Sequence, residues 1–331
     1  MTKATMKALV LDEANAPFRP VTTDRPQLGK GQVLVRVHAS GVNPLDTKIR
    51  AGQAAHARHS FPGILGMDLA GVVEAVGADV ASFAPGDEVW GMTGGVGNVQ
   101  GSLAEYAAVD ADLLARKPAN LTMREAAALP LVTITAWEGL VDRAKVSAGQ
   151  SVLVLGGAGG VGHVAVQIAL ARGAEVFAVD HASRADYLAS LGAVPVDRDE
   201  PVADYVERLT GGQGFDLVYD TVGGPVLDTA FVAVKRFGHV VSCLGWGTHA
   251  LAPLSFRAAT YSGVFTLLPL LTGEGRAHHG EIMAEATRLA EAGKLTPRLD
   301  PRRFSFSDAA DAHAAITDRS SEGKLVIDIL T

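Results

Sequence analysis

Residues 6–125 carry short runs of alternating apolar and polar positions broken by turn residues: "MKALVL", "QVLVRVHAS", "LAGVVEAVG", "GDEVWGM" and "LAEYAAV". A period of two puts successive side chains on opposite faces of a strand, so this segment predicts an antiparallel β domain. The period changes near Thr122, where "TMREAAALPLVTITAWEGLVDRA" is alanine-rich with helical spacing. Strand and helix patterns then alternate: "SVLVLG", a helix after Val161, "EVFAVD", a helix from about Ser183, "DLVYDTVG", a helix near Leu227 to Val234, and "GHVVSCLG". Strands separated by helices of that length need right-handed crossovers, which give a parallel sheet covered on both faces. Toward the C-terminus come a helix, "GEIMAEATRLAEAGKL", then "SDAADAHAAI" with a serine or aspartate cap ahead of its apolar face, and a last strand, "GKLVIDIL". The expected fold is α/β: a β domain discontinuous in sequence, 1–124 with 271–331, around a doubly wound nucleotide-binding domain at 125–270. Repeats and low-complexity segments are absent.

Five glycines fall within "LGGAGGVGHV", residues 155–164. Gly157, Gly159 and Gly162 satisfy G-x-G-x-x-G, with Ala158, Gly160 and Val161 between them, and the motif stands between a strand and a helix as its mechanism requires. The first glycine is expected to permit the tight turn, the second to let a pyrophosphate approach the backbone, and the third to let helix and sheet pack closely. The helix carries Val161, Val164, Ala165 and Ile168 on one side, with His163 and Gln167 elsewhere around it. Its N-terminus offers free N–H groups and partial positive charge to phosphates. A dinucleotide is the ligand this predicts.

The following strand ends at Asp180, near the spacing at which a carboxylate accepts hydrogen bonds from the adenosine ribose. This favours NADH. A 2′-phosphate there would meet repulsion of about 4 kcal/mol per charge pair at ~4 Å and an effective dielectric of ~20, less at a wet rim. Arg184, four residues on, offers the countercharge that would admit NADPH. The other role open to Asp180 is that of a helix N-cap or solvated turn residue.

Length and composition narrow the partners. The chain has 331 residues, 48% of them hydrophobic, enough for two cored domains. Its net charge is −7 with dispersed basic residues, which argues against nucleic acid and anionic lipid and for small molecules. The opening "MTKATMKALVLDEANAPF" does not read as a secretory signal and no apolar run is long enough to span a membrane, so a cytoplasmic location is expected. The single cysteine, Cys243, excludes an intrachain disulfide and any zinc site of several cysteines. It is either a small buried hydrophobe or a thiol lining a cleft.

Taken together, "ASGVNPLDTKIRAG", "LGMDLAGVVEAVG", "GDEVWGM", "GGAGGVG", "GFDLVYDTVGG" and "GKLVIDI" make the chain resemble the medium-chain dehydrogenase/reductase superfamily over essentially its whole length. Within it, the resemblance is to the zinc-independent quinone oxidoreductase-like branch. It implies a GroES-like β domain, a central Rossmann domain and an active site in the cleft between them. A homodimer is also implied, built partly through an edge strand of the Rossmann sheet near "GVFTLL" (263–268); the alternative is a strand covered within the monomer. Zinc-dependent relatives place cysteine, histidine and cysteine around the metal, where this chain has Asn43, Met67 and roughly Leu131. Asp68, His56 and His59 do not rebuild that set, and no metal is expected.

Without a Lewis acid, the resemblance implies hydride transfer to an acceptor that is already electrophilic, a quinone or an α,β-unsaturated ketone. No tyrosine is followed four residues later by lysine, so the acid–base pair of short-chain reductases is missing. By position in the family motif, Asn43 is expected to project from "GVNPLD" into the cleft, hydrogen-bond the substrate carbonyl and stabilise developing oxyanion charge, or else to be a turn residue before Pro44. Thr135 is carried over as a neighbour of the nicotinamide, or is a buried helix threonine. Asp46 is expected to close the loop. Gln53 stands where an aromatic commonly follows the R-x-G turn, and the loop bears His56 and His59, either a proton donor to an enolate or solvent-exposed groups. Trp246 and Met92 either line an apolar pocket wall or pack in the core. The competing functions are alcohol dehydrogenase-like carbonyl reduction, disfavoured without the metal, and a non-enzymatic crystallin-like or RNA-binding role.

Overall fold

The computed structural model describes residues 4–330, and the chain divides into two units, one running through Leu131 and resuming at Leu267, the other comprising Val132–Thr266. The second unit is built on six parallel strands in the spatial order Val194–Asp197, Glu175–Asp180, Ser151–Leu155, Phe215–Asp220, Val234–Ser242, Thr260–Gly263. The chain winds outward from Ser151–Leu155 in one direction, returns, and winds outward in the other. The order therefore reverses between Ser151–Leu155 and Phe215–Asp220, the crevice position where open α/β sheets bind ligands. The central strand reads as an unbroken apolar run because both faces are covered: Val152, Leu153, Val154 and Leu155 are all buried. Leu153, Leu155, Phe177, Phe215 and Phe231 belong to one core cluster.

Two expectations in this unit need correction. The run 263–268 is not a strand: the edge strand is Thr260–Gly263, its ladder ending at the Ser242–Gly263 pair, and a helix follows at Leu268–Thr272 with Pro269 in its first turn. The apolar residues Val264 and Leu267 are spent on burial rather than on edge pairing. The helix Gly160–Ala171 is also more enclosed than a one-sided stripe implies, since His163 and Gln167 are buried along with Val164, Ala165 and Ile168. Gln167 Nε2 donates to the His163 carbonyl and His163 Nδ1 lies 3.0 Å from the Gly159 carbonyl, which is how polar side chains survive there. The strand Val194–Asp197 has no clear signature in the sequence, since four residues containing a proline give too little pattern, and Pro195 is tolerated because the strand is at the sheet edge; the helix Val202–Thr210 does have one, with Val202, Tyr205, Val206 and Leu209 at helical spacing turned to the core.

The other unit contains a three-stranded antiparallel sheet, Arg19–Asp24, Thr5–Leu11 and Gly63–Ile64, and a larger one in the order Phe304–Ser305, Leu325–Asp328, Gln32–Val42, Asp68–Val76, Glu88–Met92, Ala115–Arg116, with Tyr106–Asp110 also paired to Gln32–Val42. Two registers bring distant residues to the end of Gln32–Val42. Leu325 pairs with Val42, and Gly41 pairs with Asp68, so the C-terminal strand and the strand from Asp68 flank the chain just before Asn43. Among the described residues, no helix is long and apolar enough to cross a membrane.

Candidate functional site

The glycine loop sits at the C-terminal end of the central strand, at the reversal of strand order. The tight turn is made by Gly156, whose φ of +78° suits glycine alone, and not by Gly157 as the motif suggests. Gly157 is required for a different reason: a Cβ there would stand 2.7 Å from the Ala178 Cβ on the neighbouring strand. Gly162 matches its expected role, since its Cβ would fall 2.0 Å from the Gly156 carbonyl oxygen. Gly159 and Gly160 are exposed, and only that same carbonyl approaches Gly159. Gly159 is the N-cap of the helix Gly160–Ala171, so Gly160, Val161 and Gly162 supply its first turn of amides. Bare backbone, open space and a helix N-terminus are what a pyrophosphate needs.

Asp180 belongs to this cradle. Its Oδ2 accepts from the Ala158 amide at 2.8 Å and its Oδ1 from the His181 amide at 2.8 Å. The N-cap of the next turn, Ala182–Arg184, is His181, which leaves Asp180 facing the loop. A carboxylate with one bond to each oxygen keeps acceptor capacity for hydroxyl groups. Arg184 lies half-buried at the end of that turn.

A residue not singled out from the sequence braces the cradle from the other side. Asp220 is fully buried at the end of Phe215–Asp220 and accepts from the Val222 and Gly223 amides at 3.0 Å and from Ser242 Oγ at 2.7 Å. It folds the segment Thr221–Gly224 back beside Gly156, where Thr221 Oγ1 donates to the Leu155 carbonyl at 2.7 Å. Cys243, next to Ser242, is partly buried, and burial pushes its thiol up to about 12.

Thr135 lies in the helix Pro130–Trp137 and is 7% exposed. Tyr219 Oη donates to its carbonyl at 2.7 Å, and the Thr266 hydroxyl lies 3.1 Å from the Thr135 hydroxyl and 2.8 Å from Glu138 Oε2. The helix continues into a π-helical stretch, Glu138–Arg143, a local widening often found at functional sites. Thr266 and Glu138 are partners that sequence spacing could not reveal.

In the other unit, Asn43 caps the helix Pro44–Arg50 and is fully buried. Its amide is held from both sides: Lys324 donates to Oδ1, and Nδ2 donates to Asp68 Oδ2 at 2.9 Å. Asp46 closes the turn as expected, its Oδ2 accepting from the Asn43 amide at 2.9 Å. Burial pushes Asp46 up to about 7 and Asp68 up to about 6, against the pull of nearby Lys324.

The remaining candidates separate. Met67 and Met92 are fully buried, so Met92 is a core residue, while Trp246 is 54% exposed and meets Phe265 edge to face. His56 is exposed; His59 is half-buried with Nδ1 3.0 Å from the Gly95 carbonyl, and burial holds its pKa below the ordinary histidine range. Among the described residues, no group of three or more His, Cys, Asp or Glu is arranged to hold a metal ion.

Residues 29–119 match the family model of the alcohol dehydrogenase GroES-like domain, and residues 191–327 match that of a zinc-binding dehydrogenase. Over 311 residues the chain is 37% identical to the 2-methylene-furan-3-one reductase of Solanum lycopersicum, covering 91% of this chain and 73% of that one. It is 35% identical over 311 residues to the chloroplastic NADPH-dependent alkenal/one oxidoreductase of Arabidopsis thaliana, again covering 91% and 73%. Among solved structures, an alcohol dehydrogenase superfamily protein from Novosphingobium aromaticivorans is 62% identical, with a TM-score of 0.97 over 98% of this chain and 100% of that one.

Proposed function

The chain belongs to the medium-chain dehydrogenase/reductase superfamily, in its zinc-independent reductase branch, and from that premise we propose that it reduces α,β-unsaturated carbonyl compounds or quinones with a reduced nicotinamide dinucleotide. The observation that carries this is the cradle at the strand-order reversal, where Gly156, Gly157 and Gly162 bring bare backbone to a helix N-terminus and Asp180 stands at the next strand end. The names of the two relatives, a 2-methylene-furan-3-one reductase and an NADPH-dependent alkenal/one oxidoreductase, support the substrate class. The positions where zinc-dependent relatives hold the metal carry an amide, a thioether and an alkyl chain, Asn43, Met67 and Leu131, in place of the thiolate and imidazole that zinc takes. The acceptor must therefore be electrophilic on its own, as enones and quinones are.

When bound, the dinucleotide supplies the hydride. The chain's own part is to hold and orient it: the amides of the first helical turn take the pyrophosphate, and Asp180 takes the ribose hydroxyls. We assign NADH as the preferred form, because a 2′-phosphate would be set against the Asp180 carboxylate; Arg184 is the residue that would rescue NADPH. Thr135, its hydroxyl held by Thr266, is the residue assigned beside the nicotinamide. Asn43 acts from a buried position. With Oδ1 and one Nδ2–H committed, its second Nδ2–H is the amide hydrogen left to offer to a substrate oxygen.

A homodimer fits the same unit. Thr260–Gly263 is an edge strand, and Phe237 and Phe256 are 82% and 83% exposed, an arrangement that pairing with a second copy would cover. Sedimentation of the purified protein at monomer mass would remove the dimer from this assignment.

The function is tested by following nicotinamide absorbance with a para-quinone or a simple enone, with NADH and NADPH in parallel, with and without a strong chelator, against the enzyme-free rate. Chelator-resistant turnover is expected. Cofactor binding without turnover of either acceptor class would replace the reductase with a binding protein.

A further inference from the structure

The geometry points to Lys324, Asp68 and Asp46 as one buried charge cluster that holds the Asn43 side chain in a single orientation and exchanges a proton with solvent as a unit, which makes Lys324 a positioning residue for the reduction.

All three charged side chains are sequestered: Asp68 is 0% exposed, Asp46 1% and Lys324 7%. Such groups are almost never buried without mutual compensation. Lys324 Nζ donates to the Val42 carbonyl at 3.1 Å and to Asn43 Oδ1; Asn43 Nδ2 donates to Asp68 Oδ2; and Asp68 Oδ1 accepts from the Leu131 amide at 2.9 Å. The amide thus stands between a cation on its oxygen and an anion on its nitrogen. Turning it over would set oxygen against carboxylate and N–H against ammonium, so the two charges choose one of two sterically equivalent orientations. That choice decides which way the remaining Nδ2–H points.

The charges do not cancel. Two carboxylates face one ammonium, so full ionisation would leave a net negative charge in the interior. Asp46 is where the proton resides. Its Oδ2 accepts from the Asn43 amide, whereas its Oδ1 is buried without a well-formed hydrogen bond, and the pull of the Asn43 and Gly66 amides does not outweigh the burial that favours the neutral carboxyl. Burial and the neighbouring Asp68 both raise Asp46, while Lys324 lowers it; Lys324 is itself lowered by burial and raised by the two aspartates. Packed elements bring further titratable groups. The helix Ala309–Thr317, which contacts Pro44–Arg50, brings exposed Asp311 and His313, which burial and the like charge of Arg50 keep neutral. The helix Met123–Ala127, which contacts the strands from Gln32, Asp68 and Leu325, brings Arg124, paired with Asp328, and Glu125, bonded to Thr122.

The positioning role rests on the proposed reductase activity; the charge cluster does not, and the test separates them. In the wild-type protein, carbon-13 NMR of labelled aspartates should show two carboxyls titrating well above the ordinary range. In Asp46→Asn the higher of these disappears. In Lys324→Met, removal of the cation moves the surviving titrations to higher pH and lowers kcat by roughly 10–100-fold at little change in KM, the scale of a misplaced reacting group. Lys324→Arg should restore part of the rate. Wild-type aspartates that all titrate in the ordinary range would overturn the cluster even if the enzyme turns over. A folded Lys324→Met protein with normal kcat and an unmoved titration would overturn the positioning role. If no acceptor is reduced by any form, the NMR titrations still decide the cluster alone.

Discussion

Lys324 donates to the side-chain oxygen of Asn43 across 281 residues of sequence. The contact exists because Leu325 pairs antiparallel with Val42 in the larger sheet, which sets the residue before one strand beside the residue after the other. A backbone register thereby builds a polar centre, and the centre determines what Asn43 can do.

Asn43→Ala removes the amide and leaves both Lys324 and Asp68 short of a partner. We expect kcat/KM to fall by roughly one to three orders of magnitude in a protein that still folds. Steady-state kinetics with a saturating reduced cofactor checks it; unchanged kinetics would take Asn43 out of the reaction.

Asp180→Ser keeps an oxygen near the Ala158 amide while removing the negative charge. The ratio of kcat/KM with NADPH to that with NADH should rise by roughly one to two orders of magnitude. An unaltered ratio would mean that Asp180 holds the loop without reading the ribose.

Gly162→Ala would place a methyl 2.0 Å from the Gly156 carbonyl, against backbone that cannot rotate away. The helix must move off the strand, at a cost of at least about 1–3 kcal/mol in stability, and the cradle opens with it. Loss of cofactor binding by fluorescence titration, alongside a lower thermal midpoint, is the expected pair of results. Wild-type affinity in the alanine variant would show that close helix packing is not what this glycine provides.

His313 is buried against Phe18, its ring 5.1 Å away edge to face, and burial holds its pKa down to about 3, with Arg50 adding to the effect. In the unfolded chain the ring takes a proton below about 6.5, and in the folded protein it cannot do so until about 3. Its contribution to stability is therefore present above about 6.5 and lost progressively as the pH falls toward 3. Thermal midpoints of His313→Leu should decline less steeply than wild type across that window. Asp46 works in the opposite direction: its raised pKa favours the folded state at low pH and loses that advantage as the pH rises through about 7. Parallel slopes for wild type and His313→Leu would place the acid sensitivity elsewhere.

Much of this protein was legible along the chain. The strand–glycine loop–helix unit, the alternation of the β unit, the acidic strand end at Asp180 and the missing thiolate and imidazole donors are local features, each set by a few neighbouring residues and the backbone they permit. Tertiary structure decided the rest. Gly156 makes the turn, while Gly157 must be glycine because Ala178 of a neighbouring strand leaves no room beside it. Thr266 meets Thr135 across 131 residues of sequence, and Asp220 braces the glycine loop through Ser242 of the strand paired with its own. The partners of the Asn43 amide, Lys324 and Asp68, are not legible along the chain, because the Leu325–Val42 and Gly41–Asp68 registers bring them to it. Hydrophobic periodicity reports which face of an element is buried. It carries no signal for which distant side chain will share that interior, and there the charges of Lys324, Asp68 and Asp46 find one another.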